Sequence, residues 1–87
     1  MGAVDIITLL RRRPFTPFQL ISSDGTRYAV VHPELALVSP TAAVIGYPHP
    51  EIPGAALRYD VVSMRHIVRL ELPAEDAPAA DNGAAAP

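Results

Sequence analysis

Apolar and polar positions change their period once along this chain, from helical to extended. Over residues 3–13, Ala3, Ile6, Ile7 and Leu10 recur at i, i+3, i+4 and i+7, the stripe of an amphipathic helix. Asp5 near the start and Arg11, Arg12 and Arg13 at the end suit the helix dipole. Pro14 stops the helix, because its ring disfavours helical backbone at the residue before it. From Phe18 the period shortens to two. Phe18 and Leu20 alternate with Gln19 and predict a strand from Phe18 to Ser22, with Pro17 at its first residue or exposed edge. Ser22-Ser23-Asp24-Gly25 supplies turn chemistry, and a second strand follows from Thr26 to His32.

Pro33 interrupts this strand and the pattern resumes at Leu35–Val38, which predicts a bend or bulge inside one long curved strand. Ser39-Pro40 marks a turn, and Ala42 to Tyr47 a third strand. Residues 48–56 hold three Pro and one Gly and are expected to form a loop. No Gly or Pro occurs between Tyr59 and Leu72, a run too long for one strand of a small barrel. A break near Met64-Arg65-His66 is therefore expected between strand four, Leu57 to Met64, and strand five, Ile67 to Leu72. Pro73 closes the pattern.

A helix followed by five sequential strands predicts an antiparallel meander, and such short, bent strands favour closure. The expected fold is mostly β with an N-terminal helix, a five-stranded, strongly bent antiparallel small barrel over residues 1–73. Residues 74–87 contain seven Ala, two Pro, one Gly and three acids, with no large apolar side chain. Such a segment cannot offset its ordering entropy, so a disordered acidic tail is expected.

Composition narrows the classes. With no Cys among 87 residues, disulfides and thiolate chemistry are excluded. No apolar run approaches the ~20 residues of a membrane span, and the arginines follow the first apolar run instead of preceding it as in a signal peptide. A cytoplasmic protein without membrane contact is expected. The net charge is −2, but Glu75, Asp76 and Asp81 lie in the tail; residues 1–73 carry seven Arg against six acids, net +1. Every basic residue apart from His is Arg, the better residue for bidentate phosphate contacts, although an Ala-, Pro- and Arg-rich composition also follows from GC-rich coding.

Two stretches carry a family resemblance. Asp5 to Gly25, DIITLLRRRPFTPFQLISSDG, resembles the run from the first helix to the first turn in the bacterial Hfq branch of the Sm/LSm family. Met64 to Pro73, MRHIVRLELP, is similar to its second Sm motif, with Arg65 and His66 on the Lys-His positions. The chain differs at Val4, where the family has Gln, at Met64, where it has an aromatic residue, and at His32-Pro33-Glu34, where it has a Phe-bearing segment. The resemblance implies an Sm-like (SH3-like) barrel assembled into a cyclic homo-oligomer, often a hexamer. It further implies RNA, U-rich or A-rich, as partner, held by an Arg11–Arg12–Arg13 rim and a central pore of Arg65 and His66.

Each site has an alternative account. Three arginines after a helix also complement its dipole, and Arg65 and His66 also suit an ordinary turn between strands. His32-Pro33-Glu34 and His49-Pro50-Glu51 repeat one triplet, but such triplets are ordinary turn chemistry, and neither a metal site nor a cofactor is expected. The aromatics are expected to be mostly core, with Phe15, between two Pro, the one most exposed. No nucleophile elbow or phosphate-binding Gly-rich loop occurs, so no catalytic residue is assigned. Two functions stay open: an RNA-binding ring, and a small-barrel module that binds protein through an apolar edge or the Pro48–Pro53 loop.

Overall fold

A computed structural model describes residues 2–73; the expected acidic tail at 74–87 lies outside the described residues. The elements run α1 (Ala3–Leu10), β1 (Phe18–Ser22), β2 (Arg27–Val30), β3 (Ala36–Val38), β4 (Ala42–Pro48), β5 (Ala56–Ser63) and β6 (Ile67–Glu71). Single 3₁₀ turns occupy Pro33–Leu35 and Met64–His66.

Helix α1 is shorter than its periodicity predicts. Asp5 accepts a hydrogen bond from the Gly2 amide at the start. At the end the last turn tightens, with the Arg12 amide donating to the Leu9 carbonyl, and Arg11 forms the cap. Arg11, Arg12 and Arg13 thus lie outside the helix, leading into a cis Arg13–Pro14 peptide. Gly25, at φ 89°, turns β1 into β2 in a conformation that a side chain would strain.

The strands do not close into one barrel. They form two separate three-stranded antiparallel sheets, β2-β1-β6 and β3-β4-β5. The expected five-stranded barrel is replaced by six strands because the long curved strand does not exist. Pro33, which has no N–H to give a ladder, opens a 3₁₀ turn in which the Leu35 amide donates to the His32 carbonyl. Beyond it the chain re-emerges as β3 and pairs with β4 in the other sheet. The turn at Met64–His66, near the expected break, does the reverse: β5 leaves the second sheet and β6 joins β1 in the first.

The sheets pack face to face with α1 against one end. Phe18, Leu20 and Val30 from the first sheet meet Ala43, Ile45 and Val62 from the second, with Ile6, Met64 and Ile67 closing the cluster. Leu20 is fully enclosed. In β4, Gly46 admits a close approach: a Cβ there would lie 2.8 Å from the Leu35 carbonyl oxygen.

Candidate interaction surface

Because side chains alternate along a strand, each sheet has an outer face as well as a core face. On the first sheet the cross-strand rows are Arg27–Ile21–Arg69 and Ala29–Gln19–Glu71. Arg27 donates to the Gln19 Oε1 at 2.8 Å and pairs with Glu71, which also lies 3.7 Å from Arg69. Ile21 is buried between the two flanking arginines, whose stems are apolar.

The outer face of the second sheet is built differently. Its rows are Leu37–Val44–Val61 and Gly46–Tyr59. Leu37 is 72% exposed, Tyr59 65%, Val61 63% and Leu57 60%. No charged residue stands in these rows. A shallow groove of about 540 Å³ crosses the face, lined by Val44 and Gly46 with Leu35, Leu37, Ala56 and Tyr59 beside them, and by one charged residue, Glu34.

The orientation of β5 explains this face. Along it Leu57, Tyr59 and Val61 alternate with Arg58 and Asp60. Val62, paired with Ala43 of β4, enters the core, and the alternation then places Arg58 and Asp60 on the inner side and the three apolar residues outside. The two charges gather around Tyr47. The Tyr47 hydroxyl donates to Asp60 Oδ2 at 2.8 Å, and the Arg58 guanidinium lies 4.1 Å from the centre of the Tyr47 ring. Burial, with the Asp60 carboxylate beside it, pushes the Tyr47 hydroxyl above its ordinary pKa.

The residues singled out from sequence fall elsewhere. Arg13 donates to the Leu10 and Arg12 carbonyls at 3.1 and 2.7 Å, finishing the helix end. Arg11 and Arg13 border one hollow with Pro33 and Glu34. Arg65 borders another with Pro40 and Thr41, and His66 lines a third with Asp24. The arginine group and the Arg65–His66 pair do not share a cavity. His49 Nδ1 accepts from the amides of Glu51 and Ile52, so it shapes its loop, while His32 faces Glu34 at 3.4 Å. Among the described residues no three metal-ligating side chains gather. Phe15 is half-buried in a tilted pair with Phe18, their ring centres 6.1 Å apart. The exposed aromatic is Tyr59.

Asp24 accepts from the Ser22 hydroxyl and from the Thr26 amide at 2.9 Å, which holds its carboxyl at about 2. Among the described residues no helix is long and apolar enough to cross a membrane.

No family model matches the chain, and neither a curated protein nor a solved structure does. The Sm/LSm resemblance is therefore corrected on two grounds: no family match supports it, and two unconnected sheets replace the closed barrel. The expected partners go with it. RNA and a hexameric ring of this chain were both consequences of a ring-forming barrel, and that architecture is absent from the described residues.

Proposed function

We propose that this chain is a non-catalytic protein-interaction module that binds through the outer face of its second sheet. One observation carries the reading: β5 turns Leu57, Tyr59 and Val61 outward while Arg58 and Asp60 take the inner side. An isolated exposed apolar side chain is ordinary, but a contiguous group of them on one sheet face marks a contact surface. Tyr59, between Leu57 and Val61 on the edge strand, is the residue type that dominates binding energy when desolvated. The cysteine-free composition suits a cytoplasmic setting.

The test is site-specific photo-crosslinking in cells from Leu37, with Ala29 on the other sheet as control. The captured protein is then purified and titrated against the chain by calorimetry. The expected outcome is capture from Leu37 alone, with binding that survives high salt and falls about tenfold or more for Tyr59→Glu. Equal capture from both positions, or unchanged affinity for Tyr59→Glu, overturns the reading.

A further inference from the structure

The four sheet edges are unequal. β2 has four residues and carries Arg27, β3 has three, and β6 has five, including Arg69 and Glu71. Short length and charge are what keep an edge from pairing with another chain. β5 is the long edge, with eight residues; it carries Arg58 and Asp60, so its length and not a lack of charge sets it apart. It is the last strand in its sheet order, so one side of its backbone has no ladder partner among the described residues.

The two ends of β5 differ in chemistry. Near its start, Ala56 and Tyr59 border the groove, which Glu34 also lines. Near its end, Val61, Val62 and Ser63 border a more polar cleft of about 320 Å³, shared with Ser22, Ser23, Asp24, Tyr28 and His66. The Asp24 carboxylate is charged at neutral pH as any exposed aspartate is, and the Ser22 hydroxyl and Thr26 amide fix its orientation. A strand lying along this edge would meet the exposed Leu57, Tyr59 and Val61 of β5 on one face and the Asp24 carboxylate near one end. Every ladder in both sheets is antiparallel, and antiparallel pairing is the more stable per residue. An antiparallel addition would begin beside Ser63 and finish beside Ala56.

We propose that β5 accepts an extended segment of another protein as an added antiparallel strand, with a basic residue at the segment's N-terminal end lodged beside Asp24. Main-chain hydrogen bonds along β5 supply the attachment, and alternate apolar side chains of the segment pack beside Tyr59 and Val61. Eight residues span about 26 Å, a small contact suited to reversible binding. The inference rests on the interaction-module reading and names its partner class.

The full 87-residue chain is titrated with the capped peptide Lys-Thr-Val-Thr-Val-Thr-Val-Thr and followed by nitrogen-15 NMR. The expected result is slowed amide exchange confined to β5, with intermolecular contacts in antiparallel register. Methylating the peptide's amide nitrogens at alternate residues separates backbone pairing from side-chain contact. One phase of methylation weakens binding about tenfold or more and the other leaves it nearly unchanged. Replacing the peptide's Lys by Glu weakens binding about threefold at low salt, and Asp24→Asn removes that difference.

Equal effects of the two methylation phases overturn strand addition. So does the absence of any shift in β5 at about 1 mM peptide. A dimer of the chain itself that Tyr59→Lys returns to monomer assigns the edge to a second copy and overturns the proposal as well. If strand addition fails in these ways while Tyr59→Glu still abolishes binding of the captured partner, the broader reading stands. If Tyr59→Glu leaves that partner bound, the broader reading falls.

Discussion

The two sheets of this molecule are equal in strand number and opposite in how they treat their outer faces. The first buries Ile21 between flanking arginines and ties Arg27 and Arg69 to Glu71, leaving Val68 of β6 as its exposed large apolar residue. The second leaves Leu37, Tyr59 and Val61 uncovered and keeps Arg58 and Asp60 on the inner side. The charged rows of the first face pair with one another within the chain. The second is a surface whose burial is left to something else, which is how a small fold acquires an attachment site without a deep pocket.

Substitutions sort along this contrast, from large effects to small. Ile21→Ala on the covered face should cost about 2–4 kcal/mol in a denaturant titration, because it empties a buried site. Leu37→Ala on the uncovered face should change stability by less than about 0.5 kcal/mol, and equal losses at the two positions would erase the distinction. Gly46→Ala should lower stability by about 1–3 kcal/mol, since its Cβ would meet the Leu35 main chain at 2.8 Å. That loss should come with chemical-shift changes centred on β3 and β4 and none in β6.

Binding of an environment-sensitive dye should fall on converting Leu37, Tyr59 and Val61 together to Lys, and should not change with Glu71→Ala. Glu71→Ala itself should cost under about 1 kcal/mol and less at high salt, as expected of exposed ion pairs. The smallest effect is pH-dependent. The Asp24 carboxyl is lowered from 3.8 to about 2 by the Ser22 hydroxyl and the Thr26 amide. A depressed carboxyl contributes stability that is present above the unfolded value and is lost as pH falls from about 4 through about 2. Melting temperature should therefore decline over that window, and less so in Asp24→Asn, while proton NMR follows the Asp24 titration directly.

Most element positions were legible in the residues. Alternation at Phe18–Ser22, the Asp24-Gly25 turn and the prolines at 33, 40 and 73 lead to strand limits within a few residues of those observed. The partition into two sheets was not, because Pro33 announces an interruption without saying which neighbour the next strand will meet. A bulge inside one strand and a 3₁₀ turn between two strands have the same local signature. The facing of β5 was equally hidden. Its alternation separates Leu57, Tyr59 and Val61 from Arg58 and Asp60 but leaves both orientations open, and the choice is made by Val62 and Met64 entering the core. The arginine triplet misled for a related reason. Its local chemistry suits a helix end and a phosphate site alike, and Arg13 is occupied with the carbonyls of Leu10 and Arg12.

The 3₁₀ turn at Met64–His66 holds its neighbours through the main chain. The Met64 amide donates to the Thr41 carbonyl, and the His66 carbonyl accepts from the Ser23 amide, both at 2.8 Å. One peptide segment thereby clasps the start of β4 and the β1–β2 turn without using a side chain of Arg65 or His66, both of which are exposed. Those two positions can drift under mutation while the clasp stays intact. A lineage could recolour this corner of the surface, in charge or in shape, at almost no expense to the architecture beneath it.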